Sequence, residues 1–361
     1  MRIIVVGAGL VGTAVARALA IAGADVVVIE RGVPGAEASW AAGGILSPQV
    51  ECDHDGPLLR LCLQGLKATE RLVVELGAHG HDLGVVRGGT LDVAVDDDEA
   101  EALAHRVRWQ TAAGLTANLL TSADVKALSP ALGDVVAAAH FPTESALEPR
   151  LLFAALRADA VRAGVTVLSD RRVVRVEARA VHVVDAGAEA VIEGDAVIVC
   201  AGAWTPQVAG ADVPAHAVVP VRGQMIEVQG EPSAFDVVVY GRGGYVVPRV
   251  DGRVVAGSTM EHVGYAKAVT VSGLQRLCAM VGGLVPALTT APVVSTWAGL
   301  RPGTADGLPL LGRQASGVWV ASGHFRNGVL LAAVSGEVMA RAVLSGGEID
   351  AAFAPSRFLS S

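Results

Sequence analysis

The chain has 361 residues, of which 52% are hydrophobic and 18% charged, and its formal net charge is −8. This length predicts two domains or one large one, and the apolar composition excludes a disordered chain. No run of 18 uncharged apolar residues is present, so no membrane span is predicted. The acidic balance and the absence of a Lys/Arg run argue against a nucleic-acid partner.

The cysteines and histidines indicate neither a disulfide framework nor a metal centre. Cys52, Cys62, Cys200 and Cys278 have no CxxC spacing, which predicts reduced thiols in a cytoplasmic protein. No group of His, Cys, Asp or Glu residues has the spacing of metal ligands, so no metal site is predicted.

The first 30 residues have the pattern of a βαβ unit. Residues 2–6 predict a buried parallel strand, residues 10–22 a helix of small residues, and residues 25–29 a second strand that ends at Glu30. A signal peptide would show a similar apolar run after a basic residue, but Arg17 interrupts this one. The segment therefore predicts the start of an α/β domain.

The turn of this unit, GAGLVG, matches the glycine pattern of dinucleotide-binding folds. Gly7 permits the tight turn, Gly9 lets the backbone approach a pyrophosphate, and Gly12 allows close packing of helix and strand. The helix N-terminus offers N–H groups to phosphate. Glu30 stands where a carboxylate accepts from ribose hydroxyls, which disfavours NADP. The alternative is a glycine-rich turn in an unrelated α/β unit.

The middle of the chain favours FAD over NAD. EASWAAGGILSP at 37–48 could place backbone against a large planar ligand, and the α/β pattern then pauses for roughly a hundred residues. Residues 165–200 predict a short strand, a β-meander and a return strand. That return strand ends in AGAW, so Ala201 and Gly202 are expected near the adenine. The alternative is an ordinary sheet edge.

The last third contains two candidate arginines. WAGLRPGTADGLPLLGR at 297–313 contains Arg301, and VWVASGHFRNGVLLA at 318–332 predicts a strand, a polar loop with Arg326, and a helix. We expect both arginines in Gly-flanked loops after apolar strands, where α/β folds place ligands. The helix N-terminus could stabilise negative charge on a reduced flavin.

A further candidate lies in GRGGYVVPRVDGRVVAGSTM at 241–260. Residues 245–249 and 253–257 predict two strands around a turn, and Tyr245 and Met260 could meet across this hairpin. Simple packing within the strands is the alternative for both side chains.

Together these motifs resemble the amino-acid oxidase (DAO) superfamily of FAD enzymes, and within it the glycine oxidase branch linked to thiamine biosynthesis. The resemblance implies an α/β fold, with a Rossmann-like FAD-binding domain of the glutathione-reductase type and a substrate domain on an antiparallel sheet. It implies a discontinuous FAD domain at 1–79, 142–215 and 297–361, and a substrate domain at 80–141 and 216–296.

The resemblance also implies a non-covalent FAD. The expected cofactor-binding residues are Gly7, Gly9, Leu10, Val11, Gly12, Glu30, Arg31, Ala38, Ser39, Gly43, Gly44, Ile45, Val174, Ala201, Gly202, Gly323, His324, Phe325, Arg326, Asn327, Gly328, Val329 and Leu330.

For the substrate, the resemblance implies that Arg301 pairs with a carboxylate and that Tyr245 adds a hydroxyl to it. Arg326 would lie at the amine end, acting through its backbone carbonyl, and Met260 would line the pocket over the flavin. The family carries a His two residues before the tyrosine, where this chain has Gly243. Either that His is dispensable here, or the substrate choice differs from glycine.

The implied reaction is oxidation of glycine or another small amine, such as sarcosine or a small D-amino acid. Hydride would pass to flavin N5 without an acid/base residue, and O₂ would yield H₂O₂. The imine would be hydrolysed or captured by a thiazole synthase, and a homo-oligomer is expected. A dehydrogenase using a quinone or protein acceptor, or a flavin-binding subunit without turnover, remains as an alternative.

Overall fold

The computed structural model describes residues 1–185, 187–231, 235–241 and 243–359. Arg242 of the predicted hairpin motif and the last two residues, Ser360 and Ser361, lie outside the described residues. The α-helices are α1 Leu10–Ile21, α2 Ala38–Ala41, α3 Pro57–Ala78, α4 Asp97–Ala112, α5 Ser122–Leu128, α6 Pro149–Arg162, α7 Val271–Leu284 and α8 Gly328–Ser345.

The strands are β1 Arg2–Val6, β2 Asp25–Ile29, β3 Ile45–Leu46, β4 Thr90–Ala94, β5 Asn118–Thr121, β6 Ala137–Phe141, β7 Ser145–Ala146, β8 Thr166–Leu168, β9 Arg172–Glu177, β10 Ala180–Asp185, β11 Ala188–Glu193, β12 Ala196–Val199, β13 Val219–Gln229, β14 Val238–Gly241, β15 Gly244–Pro248, β16 Arg253–Gly257, β17 Val293–Gly303, β18 Leu310–Arg313 and β19 Trp319–Ser322. Short 3₁₀ helices occupy Gly202–Gln207, Pro286–Thr290, Ala351–Phe353 and Pro355–Phe358.

A six-stranded sheet carries the N-terminal unit, in the order β18-β19-β12-β1-β2-β8. The central strand β1 is parallel to both β2 and β12, and its last four residues are buried. Because both faces of a parallel sheet are covered, such strands are apolar throughout. The carboxyl ends of β1, β2 and β12 therefore lie side by side, which brings Gly7, Glu30 and Cys200 to one edge.

The β-meander predicted between residues 173 and 192 is confirmed. β9, β10 and β11 form a three-stranded antiparallel sheet, and β12 then returns parallel to β1. The carboxyl end of β12 leads directly into the 3₁₀ turn at Gly202–Gln207.

An eight-stranded sheet in the order β17-β13-β16-β15-β14-β4-β6-β5 forms the second layer. Its neighbours are antiparallel except β4 and β14, and the predicted hairpin appears as β15 and β16. A mainly parallel sheet beside a mainly antiparallel one confirms the predicted fold class. The predicted boundary between 296 and 297 falls inside β17, which pairs with β13 along its length. The division into two domains remains a prediction.

Helix α8 lies in the core. It packs against α1 and α3, and ten of its residues, including Leu330 and Leu331, are buried. Among the described helices, it is the one that length and composition would allow to cross a membrane. Its packing against two neighbouring helices accounts for that apolar character, because a helix buried on most sides is hydrophobic all round.

Candidate functional site

Two adjoining cavities open at the edge where β1, β2 and β12 end. The outer cavity has a volume of about 360 Å³ and the inner one about 150 Å³. They share the lining residues Gly9, Ala38, Ser39, Cys200 and Gly202. The two cavities therefore form one elongated cleft that begins at the end of β2 and reaches the start of α8.

Steric demands at the glycine turn explain its sequence. Gly7 has a φ of +105°, and a Cβ there would lie 2.5 Å from the carbonyl oxygen of Cys200. A Cβ at Gly12 would lie 2.0 Å from the carbonyl oxygen of Gly7. Both positions therefore exclude a side chain. The turn brings the N-terminus of α1 to the cleft, where the first-turn N–H groups of a helix have no intrahelical acceptor.

Side chains from β2 and α2 hold this turn in place. The Glu30 carboxylate accepts hydrogen bonds from the amides of Ala8 at 2.9 Å and Gly32 at 3.1 Å. The Ser39 hydroxyl accepts from the amide of Leu10 at 2.8 Å. Glu30 also lines the outer cavity. Its carboxylate is thus fixed at the end of β2, where the sequence predicted a ribose contact.

The outer cavity gathers the residues predicted for the adenosine end. Arg31 lies with its guanidinium 3.9 Å from the Trp204 ring centroid, and it forms an ion pair with Glu37 at 3.5 Å. Val174, Ala201 and Gly202 complete this end of the lining. The wall of this cavity therefore combines backbone and small side chains with charged side chains, among them Arg31, Arg171 and Arg172.

The inner cavity is enclosed by three segments that are far apart in the sequence. Its predicted lining residues from α1, from the segment after α2, and from the loop before α8 are Leu10, Val11, Gly12, Gly43, Gly44, Ile45, His324, Phe325, Arg326, Asn327, Gly328 and Val329. The first turn of α8 contains no acidic residue. The positive end of the α8 dipole therefore faces the cavity without a counter-charge from its own first turn.

Arg249 anchors the middle segment from the other sheet. Its guanidinium is buried and donates to the carbonyl oxygens of Leu147 at 2.8 Å and Gly43 at 2.9 Å. A Cβ at Gly44 would lie 1.9 Å from the Leu147 carbonyl oxygen. The backbone at 43–44 is therefore fixed against 147 and leaves space on its cavity side.

Arg301 reaches the inner cavity, although not from the loop that the sequence predicted. It lies within β17, which continues through Pro302 to Gly303. The prediction of a loop at Arg301 was wrong because β17 is an edge strand, where a proline is tolerated. The guanidinium donates to the Ser258 hydroxyl at 2.5 Å and to the Thr259 carbonyl oxygen at 3.3 Å. None of the described carboxylates forms an ion pair with Arg301.

Tyr245 also lines the inner cavity, whereas the structure leaves three other predicted residues outside both linings. Met260 is 53% exposed, and Leu330 is fully buried in the core, where its carbonyl accepts from Thr69. Gly323 forms the turn after β19, with a φ of +72°. Gly243, at the position of the family's histidine, is likewise absent from the lining.

Sequence reasoning missed Glu51, Tyr240 and Gly223, all of which line the inner cavity. Glu51 accepts from Arg326 Nε at 2.7 Å and Nη2 at 2.8 Å, and from the Tyr240 hydroxyl at 2.7 Å. A Cβ at Gly223 would lie 2.1 Å from the Arg301 guanidinium. The signal for Glu51 is its position just after the predicted flavin segment. No local signal identifies Gly223, because its role depends on the pairing of β13 with β17.

Burial keeps two further lining groups uncharged. Desolvation lowers the pKa of His324 to about 4, and its Nε2 lies 2.9 Å from the Ser335 hydroxyl. Burial also raises the pKa of the Cys200 thiol to about 12. Neither group can act as a charged acid or nucleophile at neutral pH.

The features along the cleft match the successive parts of an FAD molecule. A glycine turn without room for side chains lies at its centre, a fixed carboxylate at one end, and the unpaired N-terminus of α8 at the other. This arrangement suits a pyrophosphate, a ribose and an electron-accepting ring, respectively. The family model described as "DAO: FAD dependent oxidoreductase" matches residues 2–342.

The chain belongs to the DAO family of FAD-dependent oxidoreductases. It is 35% identical to a glycine oxidase of Pseudomonas aeruginosa over 356 residues, covering 94% of this chain and 93% of that one. The crystal structure of glycine oxidase from Geobacillus kaustophilus superposes with a TM-score of 0.92 at 29% identity, covering 99% of both chains. The bifunctional protein ThiO/ThiG of Nostoc is 30% identical, covering 94% of this chain and 52% of that protein.

FAD is therefore the cofactor of this DAO-family protein, which acts on amino acids or amines. The residues that would hold the cofactor are those along the cleft, from Glu30 through Gly9 and Gly44 to Asn327. The geometry brings Arg301 and Tyr245 to the same cavity as the segments at 43–45 and 324–329. A substrate that contacts these two side chains would therefore lie in the same cavity as the flavin ring of the cofactor.

Proposed function

We propose that this DAO-family enzyme oxidises glycine or another small amine of the same type, such as sarcosine or a small D-amino acid. The products are the imine or its oxoacid, ammonia and H₂O₂. The proposal rests on one observation: Arg301 lies in the inner cavity without a carboxylate partner.

An unpaired arginine in a partly buried cavity is costly unless a ligand pairs with it. The guanidinium presents parallel N–H donors that match a carboxylate in a two-pronged geometry. Arg301 is therefore best suited to bind the carboxylate of an amino acid. The Tyr245 hydroxyl, whose nearest described hydrogen-bond partner is the Met225 sulfur at 3.7 Å, is free to donate to the same carboxylate.

Arg326 has a different role from Arg301 in substrate binding. Its side chain is already paired with Glu51, so the backbone carbonyl is the group we assign to the substrate amine. Fixing the carboxylate and the amine at two points orients the Cα–H bond. Orientation of this kind replaces a bimolecular encounter with a positioned one.

FAD bound along this cleft would supply the redox chemistry, as the two-electron acceptor from the substrate and the donor to O₂. The protein contributes no acid/base residue to this step in our proposal. The amine lone pair drives the transfer, so the substrate reacts with its amine neutral. A neutral His324 and thiol at Cys200 avoid placing further charge in the cavity.

The fate of the product and the assembly belong to the same proposal. Capture of the imine by a thiazole synthase is supported by the bifunctional relative ThiO/ThiG, of which this chain matches about half. We further propose a homo-oligomer that works in the cytoplasm, with α8 as a core helix and not a membrane anchor.

The decisive experiment is anaerobic mixing of the purified protein with glycine, sarcosine and small D-amino acids. We expect loss of the oxidised flavin absorbance, and release of H₂O₂ when air is admitted. Reduction without peroxide would identify a dehydrogenase with another acceptor. If no compound in the panel reduces the flavin, the proposed function is wrong.

A further inference from the structure

Glu51 forms the centre of a charged cluster on the wall of the inner cavity. Its two carboxylate oxygens accept from Nε and Nη2 of Arg326 at 2.7 and 2.8 Å, which is the two-pronged geometry of a strong ion pair. The Tyr240 hydroxyl adds a third hydrogen bond at 2.7 Å. The Glu51 and Arg326 side chains are only 13% and 26% exposed.

The ion pair between Glu51 and Arg326 determines the net charge of the inner cavity that a ligand enters. Among the described lining residues, the charged groups are Arg301, Arg326 and Glu51, with His324 neutral. Burial opposes the charge of Arg326, but the Glu51 carboxylate outweighs it, so the pKa of Arg326 is raised. Arg326 therefore stays charged and stays paired. The cavity consequently offers one unpaired cation, Arg301.

The cluster also lies next to Tyr245, which is expected to bind the substrate carboxylate. The Tyr240 ring lies 5.4 Å from the Tyr245 ring, and the two tyrosines face each other across β14 and β15. Burial and the nearby Glu51 carboxylate raise the pKa of Tyr240 well above its ordinary value. Tyr240 thus keeps its proton, donates a hydrogen bond to Glu51 and adds no charge of its own.

We propose that Glu51 is a specificity-determining residue: by neutralising Arg326, it restricts the cavity to ligands with one carboxylate and rejects dicarboxylates. This inference rests on the proposed function, because it takes Arg301 as the carboxylate site. A second carboxylate would meet the Glu51 anion instead of an available guanidinium. Repulsion of this kind discriminates against the wrong ligand without improving the binding of the right one.

The charge of Glu51 can be removed while its shape is kept. In Glu51→Gln, the amide oxygen still accepts from Tyr240, but the pairing with Arg326 is lost and Arg326 becomes a second anion site. Glu51→Ala removes the same charge with a smaller side chain, and it serves if the Gln variant fails to fold. Tyr240→Phe removes one hydrogen bond and leaves the charge, so the preference should stay as in the wild type.

Binding of simple anions tests the proposal without turnover. Acetate and malonate are titrated into the FAD-loaded proteins, and Kd is taken from the change in flavin absorbance. In Glu51→Gln we expect malonate to bind at least about tenfold more tightly while acetate changes by less than about threefold. The control is Glu337→Gln, which breaks an exposed ion pair outside the cavity, where Arg71 Nη2 donates to both oxygens of Glu337. That control should leave both constants unchanged.

Three outcomes separate the possibilities. Selective tightening of malonate, with a parallel rise in kcat/KM for D-aspartate relative to glycine, supports the proposal. An unchanged malonate constant, or equal changes for both anions, overturns it while leaving the proposed function intact. If acetate does not bind to the wild type, Arg301 is not the carboxylate site, and the proposed function and this inference fail together.

Discussion

The outer and inner cavities differ in how they are built. The outer one combines backbone and small residues at the ends of β1, β2 and β12 with charged side chains such as Arg171 and Arg172, and the backbone amides of Ala8 and Gly32 hold its Glu30 carboxylate in place. The inner one depends on side chains from β14, β15 and β17 and from the loops around Glu51 and Arg326. We therefore expect cofactor binding to depend first on the backbone shape of the glycine turn, and substrate binding to depend on a few charged side chains of the inner wall.

This contrast predicts different results of mutation. Substitutions at the glycine turn should abolish cofactor binding, because an added side chain clashes with the backbone and changes the shape of the turn. Changes at the inner wall should leave the cofactor bound and alter the affinity for substrate. The four predictions below test this contrast, from the largest expected effect to the smallest.

Gly12→Val should abolish FAD binding and lower the yield of folded protein, because a Cβ there would lie 2.0 Å from the Gly7 carbonyl oxygen. The measurement is the ratio of flavin to protein absorbance after purification. The matched control is Gly32→Ala in the same βαβ unit, where no atom lies within 4 Å of an added Cβ. A Gly12→Val protein with a full complement of FAD would contradict the steric argument.

Arg301→Ala should raise the KM for glycine by about 100- to 1000-fold, the usual cost of leaving a buried carboxylate without its charged partner. The flavin spectrum should remain that of the wild type, because Arg301 belongs to the inner wall. Steady-state kinetics and an absorbance scan check both parts. Unchanged kinetics would remove Arg301 from the site, and loss of flavin would show that the two regions are not separable.

Gly223→Ala should raise the KM about tenfold, less than removal of Arg301, because the methyl group displaces the guanidinium without deleting it. A flexible side-chain end can move, so the protein should fold and retain FAD. The same kinetic assay measures the effect, and Gly283→Ala, with no atom within 4 Å of an added Cβ, is the control. A KM equal to that of the wild type would show that the cavity accommodates the added methyl group without displacing the Arg301 guanidinium.

Glu144→Gln should change only the pH dependence of stability. Glu144 lies behind the inner wall and accepts from the Gln49 amide at 2.6 Å, and burial raises its pKa from 4.5 to about 8. The folded carboxyl thus holds its proton where the unfolded one has lost it. Its contribution to stability is full below pH 4.5 and is lost as pH rises towards 8.

The Tm of Glu144→Gln minus that of the wild type should therefore become more positive between pH 6 and pH 9. Thermal unfolding followed by flavin fluorescence or circular dichroism provides the measurement. Glu70→Gln on the exposed side of α3 is the control and should show a constant difference. A flat difference for Glu144→Gln would mean that this carboxyl is already ionised in the folded protein.

Much of the cofactor region could be predicted from the sequence, because it is local. The β1–α1–β2 unit and the β9–β11 meander follow from short apolar runs and the turns between them, and the β15–β16 hairpin of the large sheet was predicted in the same way. The clashes that Gly7 and Gly12 avoid lie across one strand pair or within a few residues.

The inner wall could be predicted only in part, because it depends on contacts between distant segments. Glu51 and Arg326 are 275 residues apart, and no periodic pattern links them. Arg301 was predicted for the site, but its strand was taken for a loop, because Pro302 usually ends a strand and only the edge position of β17 permits it.

The buried guanidinium of Arg249 has a consequence for protein engineering. It belongs to the hairpin of the large sheet, yet it donates to the carbonyl oxygens of Leu147 and of Gly43, which lines the inner cavity where we expect the flavin ring. A chimera that exchanged the large sheet between two such enzymes would therefore have to keep this arginine, or it would lose the hydrogen bonds that hold the backbone at Gly43 and Leu147. Single substitutions in the wall of the inner cavity are therefore a safer way to change the substrate range than the exchange of whole segments.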